Sequence, residues 1–353
     1  MCYEHDISDT ISHRDTLPPP SVLRHVVDVH CHPTDSEITV KTMDNLPIII
    51  GAMSTLQADQ GLVRDLATAF PNKVVPSFGY HPWFTHWIAL APYESKEAHY
   101  RRIFKDADEH PEAFQKLLEH APEPVTLQTV LEDVRQNLMD FPSAMLGEVG
   151  FDRAFRVSYD YFSSPGELSP FTTPFEHQLA ILEAQLDLAA ELGRNISMHS
   201  VKSQMATVEL LDRMADRHGE RWMKISIDIH SCGLSPQTWL SIEKRHPNVF
   251  LSLSTVINSR SPNHRALIAA CSSRRILVES DSHKIDDSTQ HTWDMVLIVA
   301  EVKGWLVESS WDEVVDESQQ GVVRRLESNW REFVQGNHVG PNKLSKRTTR
   351  ERQ

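Results

Sequence analysis

The chain has 353 residues, 40% of them hydrophobic, and its 35 Lys and Arg against 49 Asp and Glu give a formal charge of −14. That balance excludes a protein that clamps long polyanions with its own surface, because such binding is driven by Lys and Arg displacing counterions. No apolar run approaches the roughly 20 residues that span a bilayer, no basic-then-apolar signal opens the chain, and Cys2, Cys31, Cys232 and Cys271 show no Cys-x-x-Cys spacing. These features predict a cytoplasmic protein, with the nucleus as second compartment, and no membrane partner.

In chain order, a polar start ending in Pro18-Pro19-Pro20 reads as a flexible leader, taken to residue 24. Eight short apolar runs follow: His25–Val29, Ile48–Met53, Val74–Phe78, Ala144–Leu146, Asn195–Met198, Lys224–Ile229, Val249–Leu253 and Arg275–Val278. They are rich in Val, Ile and Leu, mostly apolar on both faces, and separated by stretches of helical period. Between Pro174 and Leu192, for example, Phe175, Leu179, Leu182, Leu186 and Ala189 recur at threes and fours. Strands alternating with helices make a parallel sheet, and eight such units predict an α/β fold, a (β/α)8 TIM barrel.

A plain barrel needs roughly 250 residues, so the excess falls in tails and insertions. The expected organisation is a leader at 1–24, a barrel domain at 25–335 with a long insertion at 83–143 after the third strand, and a basic, disordered tail at 336–353. Part of the insertion could form a lid, and its Trp83, Phe84 and Trp87 serve either as a small lid core or as a stacking surface. A second loop, Arg153 to Pro174, is expected to border the substrate cleft.

The runs also deliver ligand-type residues at one end. His30 and His32 come with the first, His81 with the third, Glu148 with the fourth, His199 with the fifth, His230 with the sixth and Asp281 with the eighth. Side chains two apart on a strand share a face, and the C-terminal strand ends of such a barrel ring one mouth, where active sites sit. Residues scattered over the chain therefore converge on one cup. His177, His246, His264, His283 and His291 lack such placement and read as surface or helix residues.

Asp28–His32, Gly79-Tyr80-His81-Pro82, Gly147-Glu148-Val149-Gly150-Phe151-Asp152, Ile196-Ser197-Met198-His199, Ile229-His230-Ser231-Cys232-Gly233 and Val278-Glu279-Ser280-Asp281 occur in this order. Together they resemble the TatD family of metal-dependent deoxyribonucleases and related hydrolases, amidohydrolase-like barrels. The resemblance runs from about His25 to Val334, with Asn329-Trp330-Arg331-Glu332-Phe333 resembling the family's closing helix segment. The inserts and tails are similar to a fungal branch named for association with a cell-cycle ubiquitin-ligase subunit, which leaves a protein partner open.

The resemblance implies two or three divalent ions, Zn, Mn or Mg, held by His30, His32, Glu148, His199, His230 and Asp281. Glu148 is the natural bridge, and Asp281 doubles as general base, the other use of such an Asp being a helix cap. A metal pair roughly 3.5–4 Å apart lowers the pKa of water and braces an in-line displacement at phosphorus. His81 and Lys202 are expected to contact substrate, with Lys202 standing in for an Arg that the family usually carries nearer His199, where this chain has Val201. Asp152 and Glu279 are expected to support the ligand histidines from behind. The implied activity is a deoxyribonuclease working on DNA ends or short single strands. The alternatives are an amidohydrolase or phosphotriesterase-like enzyme on a small substrate, and a non-catalytic interaction protein. Many small-substrate barrels bridge their metals with a carbamylated Lys where this chain has Glu148, and that favours the TatD-like reading.

Overall fold

The computed structural model describes residues 17–340 apart from 164–165 and 313–314. The first sixteen residues of the leader, with Cys2, and the basic stretch 341–353 lie outside the described residues.

The eight apolar runs form eight parallel strands: β1 (Val27–Cys31), β2 (Ile49–Met53), β3 (Val74–Phe78), β4 (Met145–Asp152), β5 (Ile196–Val201), β6 (Ile227–Ile229), β7 (Val249–Leu253) and β8 (Ile276–Val278). They pair in sequence order in one sheet. Across the seam, the Asp281 N–H donates to the His30 carbonyl at 3.0 Å and the His32 N–H to the Ser282 carbonyl at 2.9 Å. The result is the expected (β/α)8 barrel, nearly closed.

The connections carry α1 (Val40–Asn45), α2 (Gln57–Ala69), α3 (Lys96–Ile103), α4 (Pro111–His120), α5 (Leu127–Asp140), α6 (Phe175–Leu192), α7 (Gln204–His218), α8 (Pro236–Arg245), α9 (His264–Ala270), α10 (Ile285–Lys303) and α11 (Val322–Gln335). Local chemistry sets their ends. The hydroxyls of Thr39, Ser95, Thr126 and Ser235 accept backbone N–H groups of the first turns of α1, α3, α5 and α8. Gly193 and Gly304, both left-handed, close α6 and α10.

The stretch 127–140 is an ordinary barrel helix, with Val130, Val134 and Leu138 in the main core. The added material is therefore shorter than the segment 83–143 implies. Within it, α3 and α4 share a second apolar cluster, Tyr100, Phe104 and Phe114, with Val157 and Phe171 of the loop after β4. Insertion and loop fold as one unit.

Two further boundaries move. Pro20–Leu23 forms a helical turn that buries Val22 and Leu23, so the ordered barrel begins inside the segment read as leader. Beyond α11, the His338 N–H donates to the Met223 carbonyl at 2.7 Å, so the chain past residue 335 begins packed against the barrel. The strands' other end is closed by α11, whose Trp330 and Phe333 pack with Val27, Met145, Phe250 and Leu277.

The ladder slips in two places that matter. The β1–β2 register shifts between Asp28 and Cys31, and the β4–β5 register shifts between Leu146 and Val149. Such irregularities re-aim side chains, and these lie at His30 and Glu148. Beyond the second slip β4 continues to Asp152, past Leu146 where the apolar run stops. Gly150 makes this possible, since a Cβ there would stand 2.1 Å from the His199 carbonyl oxygen.

Candidate metal centre

Six side chains from five strand ends meet in the barrel mouth. The two oxygens of Glu148 divide them. Oε2 lies 3.5 Å from His30 Nε2 and 3.2 Å from His32 Nε2, while Oε1 lies 2.8 Å from both His199 Nδ1 and His230 Nε2. Asp281 Oδ1 joins the first side, 3.5 Å from His32 Nε2 and 3.8 Å from His30 Nε2. Ring nitrogens face one another at 3.3 Å (His30 and His32) and 3.1 Å (His199 and His230).

Two ligands each about 2.1 Å from one ion stand about 3.0–3.5 Å apart, so these spacings match the edges of coordination polyhedra. Within the groups His30–His32–Asp281 and His30–Glu148–His230 the donor atoms lie within 4.8 Å of one another. The side chains thus have the capacity to hold one or more divalent ions.

The charge pattern fits the same conclusion. Burial disfavours the charge on Glu148, yet His81, His230 and His30 and the hydrogen bond from His199 hold its carboxyl well below the usual range. Burial likewise opposes ionisation of Asp281, but His32 and the neighbouring imidazoles hold it below the ordinary value. Two buried anions demand nearby positive charge. Burial pulls on His32 too, and the carboxylates of Asp281 and Glu148 overcome it, raising its pKa to about 10. A divalent cation, or protons on the histidines in its place, can answer that demand.

Other contacts orient the rings. His30 Nδ1 meets the Ser197 hydroxyl at 2.7 Å, which leaves Nε2 for the cluster. Asp152 stands 3.5 Å behind His199 Nε2 and is itself held by the Trp83 indole N–H at 2.8 Å and the Ala154 N–H at 2.7 Å. Glu279 lies 3.6 Å from His230 Nδ1, beyond hydrogen-bond reach, and accepts instead from the Ser231 N–H, the Ser231 hydroxyl and the Ser252 hydroxyl. Its support of His230 is electrostatic.

His81 lies closer to the ligands than a substrate contact requires, its Nε2 3.2 Å from Glu148 Oε1. Its Nδ1 accepts the Trp83 N–H at 3.2 Å. Burial keeps the ring neutral, with the pKa lowered to about 4. A neutral imidazole that accepts at Nδ1 donates at Nε2. His81 is therefore built as a hydrogen-bond donor aimed at the cup.

Lys202 sits apart. It is exposed, with a φ of 50°, in a shallow cleft with Arg153 and Glu209. Among the described residues, none of the cluster's ion pairs involves it. Cys31 points away from the cluster toward the Gly51 carbonyl, and Cys232 is buried in the apolar core. Of the histidines expected on surfaces or helices, His177 lies on α6 and donates to the Thr85 carbonyl at 2.9 Å, whereas His246, just past α8, is buried against Asp212.

Asp28 supports the site without having stood out in the sequence. It accepts the Ser280 N–H at 2.8 Å and the Ser280 hydroxyl at 2.5 Å, tying the turn that bears Asp281 to β1. It precedes His30 by two on the same strand, so the alternation that picked out the histidines also pointed to it.

An eight-stranded α/β barrel with clustered His, Glu and Asp at one mouth defines the architecture of a metal-dependent hydrolase. Residues 27–326 match the family model described as TatD related DNase, and the chain belongs to that family. It is 29% identical to the Cut9-interacting protein scn1 of Schizosaccharomyces pombe, over 84% of this chain and 98% of that one. An uncharacterized deoxyribonuclease of Saccharomyces cerevisiae is 27% identical over 88% of this chain and its own full length (100%). Among solved structures, a TatD homologue of Escherichia coli superposes with a TM-score of 0.54 at 16% identity, covering 90% of this chain and 100% of its own. Among the described residues, no helix is long and apolar enough to cross a membrane.

Proposed function

We propose that this chain is a fungal-type TatD enzyme that hydrolyses phosphodiester bonds at DNA ends or in short single strands, using two divalent ions. The observation that carries the reading is the division of Glu148, with Oε2 facing His30 and His32 and Oε1 facing His199 and His230. One carboxylate presenting its two oxygens to separate sets of imidazoles, with His81 also 3.2 Å from Oε1, is the arrangement of a bridging ligand. The similarity to two yeast chains, one of them named a deoxyribonuclease, supports the activity and the branch.

His30, His32, Asp281 and Glu148 Oε2 would hold one ion, and His199, His230 and Glu148 Oε1 the other. Imidazole with carboxylate suits Zn or Mn, and Mg is the harder fit. The ions, when bound, supply positive charge to the phosphate oxygens and acidify the attacking water. Asp281, kept ionised, accepts that water's proton at its carboxylate. His81 donates from Nε2 to Glu148 Oε1, 3.2 Å away, and so holds the shared carboxylate in place. Arg153 and Lys202, both exposed in one cleft, are the cations that meet the next phosphate along the strand. With a formal charge of −14 over the whole chain, the protein engages a short end and not a duplex.

Turnover of an end-labelled single-stranded oligonucleotide, with and without added Mn or Zn, tests the reading. Metal-dependent loss of terminal nucleotides is expected. Cleavage that persists in chelator, or none with either metal, would overturn it.

A further inference from the structure

A cavity of about 420 Å³ is lined by residues of the insertion, of the loop after β4 and of the start of α2. We propose that it binds a planar, uncharged aromatic ring carried by the substrate, an inference that rests on the hydrolase reading above and names what lies beside the scissile bond. Its size falls in the range of small-ligand sites. Trp83, Phe84, Trp87, Phe155, Tyr159 and Tyr161 all contribute to its lining. Trp83 stacks on Phe155 at 4.9 Å, and Tyr161 stands edge-on to Phe84 at 4.6 Å. Such walls offer faces and edges to a ring, with little for a flexible aliphatic chain.

The cavity shares a wall with the cluster. Trp83 both lines it and bonds Asp152 behind His199, and the His81 ring meets Trp83 edge-on at 4.9 Å. A group seated here is joined to a bond lying over the metals. The lining carries Glu123 and Asp160 and neither Lys nor Arg among its described residues, so an anionic group is excluded. The phosphate belongs to the metals and the neutral ring to this cavity. Inside it, His86 is buried and its Nδ1 has no hydrogen-bond partner. An unpaired buried nitrogen costs free energy unless a ligand answers it, and a ring bearing a donor or acceptor would do so. The base of a nucleotide and the aryl group of a small ester both have this chemistry.

Ala58, exposed on α2 and lining the cavity, allows the space to be filled without touching the cluster. Saturation-transfer NMR on the metal-loaded full chain would compare deoxyadenosine and benzamide with deoxyribose and cyclohexanecarboxamide. The aromatic probes should bind in preference, and Ala58→Phe should weaken them by at least about five-fold, the size of a lost ring contact. Trp87→Ala, which widens the cavity, should weaken them likewise if the filled variant does not fold. Binding of deoxyadenosine identifies the base of a DNA end, and binding of benzamide alone identifies an aryl ester. Equal binding of aromatic and aliphatic probes, or indifference to both variants, overturns the proposal. No turnover is needed, so the result stands even where the oligonucleotide assay fails.

Discussion

At the scale of single residues, the centre separates side chains that hold charge from side chains that hold geometry. Asp281→Asn keeps the shape of the side chain but removes the anion, and should lower kcat of metal-dependent hydrolysis by at least about 100-fold. A variant with wild-type kcat would refute the role of base. Asp152 reaches the cluster only through His199 Nε2, at 3.5 Å. Asp152→Asn should therefore weaken metal binding by about 10–100-fold, read as a shifted midpoint in a competition titration with a chromogenic chelator. Much of this was legible in the chain. The spacing of two at the end of β1 and the ligand types at later strand ends pointed to His30, His32, Glu148, His199, His230 and Asp281. The donor role of His81 was not legible, because it depends on the Trp83 N–H held at its Nδ1, a contact that no periodicity encodes. Glu148 was located as a residue, but its two-sided geometry depends on a register slip that only the folded ladder reveals.

At the scale of elements, the unit built from the insertion and the loop after β4 rests on histidines buried without charge. His86 is the extreme case, its pKa lowered to about 3 by burial, aided by the nearby His177 and His99. His99 donates to the His86 carbonyl at 2.9 Å, and His177 reaches the same turn at the Thr85 carbonyl at 2.9 Å. Burial lowers both of their pKa values as well. A histidine whose folded pKa is depressed costs nothing above its unfolded value of about 6.5. Below that pH the unfolded chain binds the proton and the folded one does not, so stability falls until the folded pKa is reached. At pH 5 the loss from His86 alone is about 2 kcal/mol. Thermal unfolding followed from pH 7.5 to 4.5 should show this decline, and His86→Phe should flatten it at matched metal content. Identical slopes in the two proteins would show that His86 is not buried neutral. The sequence announced an insertion but placed its end too late. The apolar period of residues 127–140 is shared by insertion helices and barrel helices alike, and only packing against the main core separates them.

At the scale of the whole molecule, two ends of one barrel do different work. Around α11, Trp330 and Phe333 close the base, and Phe333→Ala should cost about 3–5 kcal/mol of stability while leaving the KM for an oligonucleotide unchanged. A change in KM at full stability would contradict that separation. At the other end the mouth concentrates buried carboxylates and imidazoles, a constellation that costs folding energy unless cations complete it. Each ion at 100 times its dissociation constant would return about 2.7 kcal/mol. Removing them with chelator should lower Tm, and Mn or Zn should restore it.

Counting metal atoms decides whether Glu148 would bridge two ions. Protein purified without chelator and reconstituted with Mn or Zn should carry two ions per chain by inductively coupled plasma mass spectrometry, and Glu148→Gln should lose at least one. A wild-type chain that retains no divalent metal, or a Glu148→Gln chain with the same metal content as wild type, would contradict it.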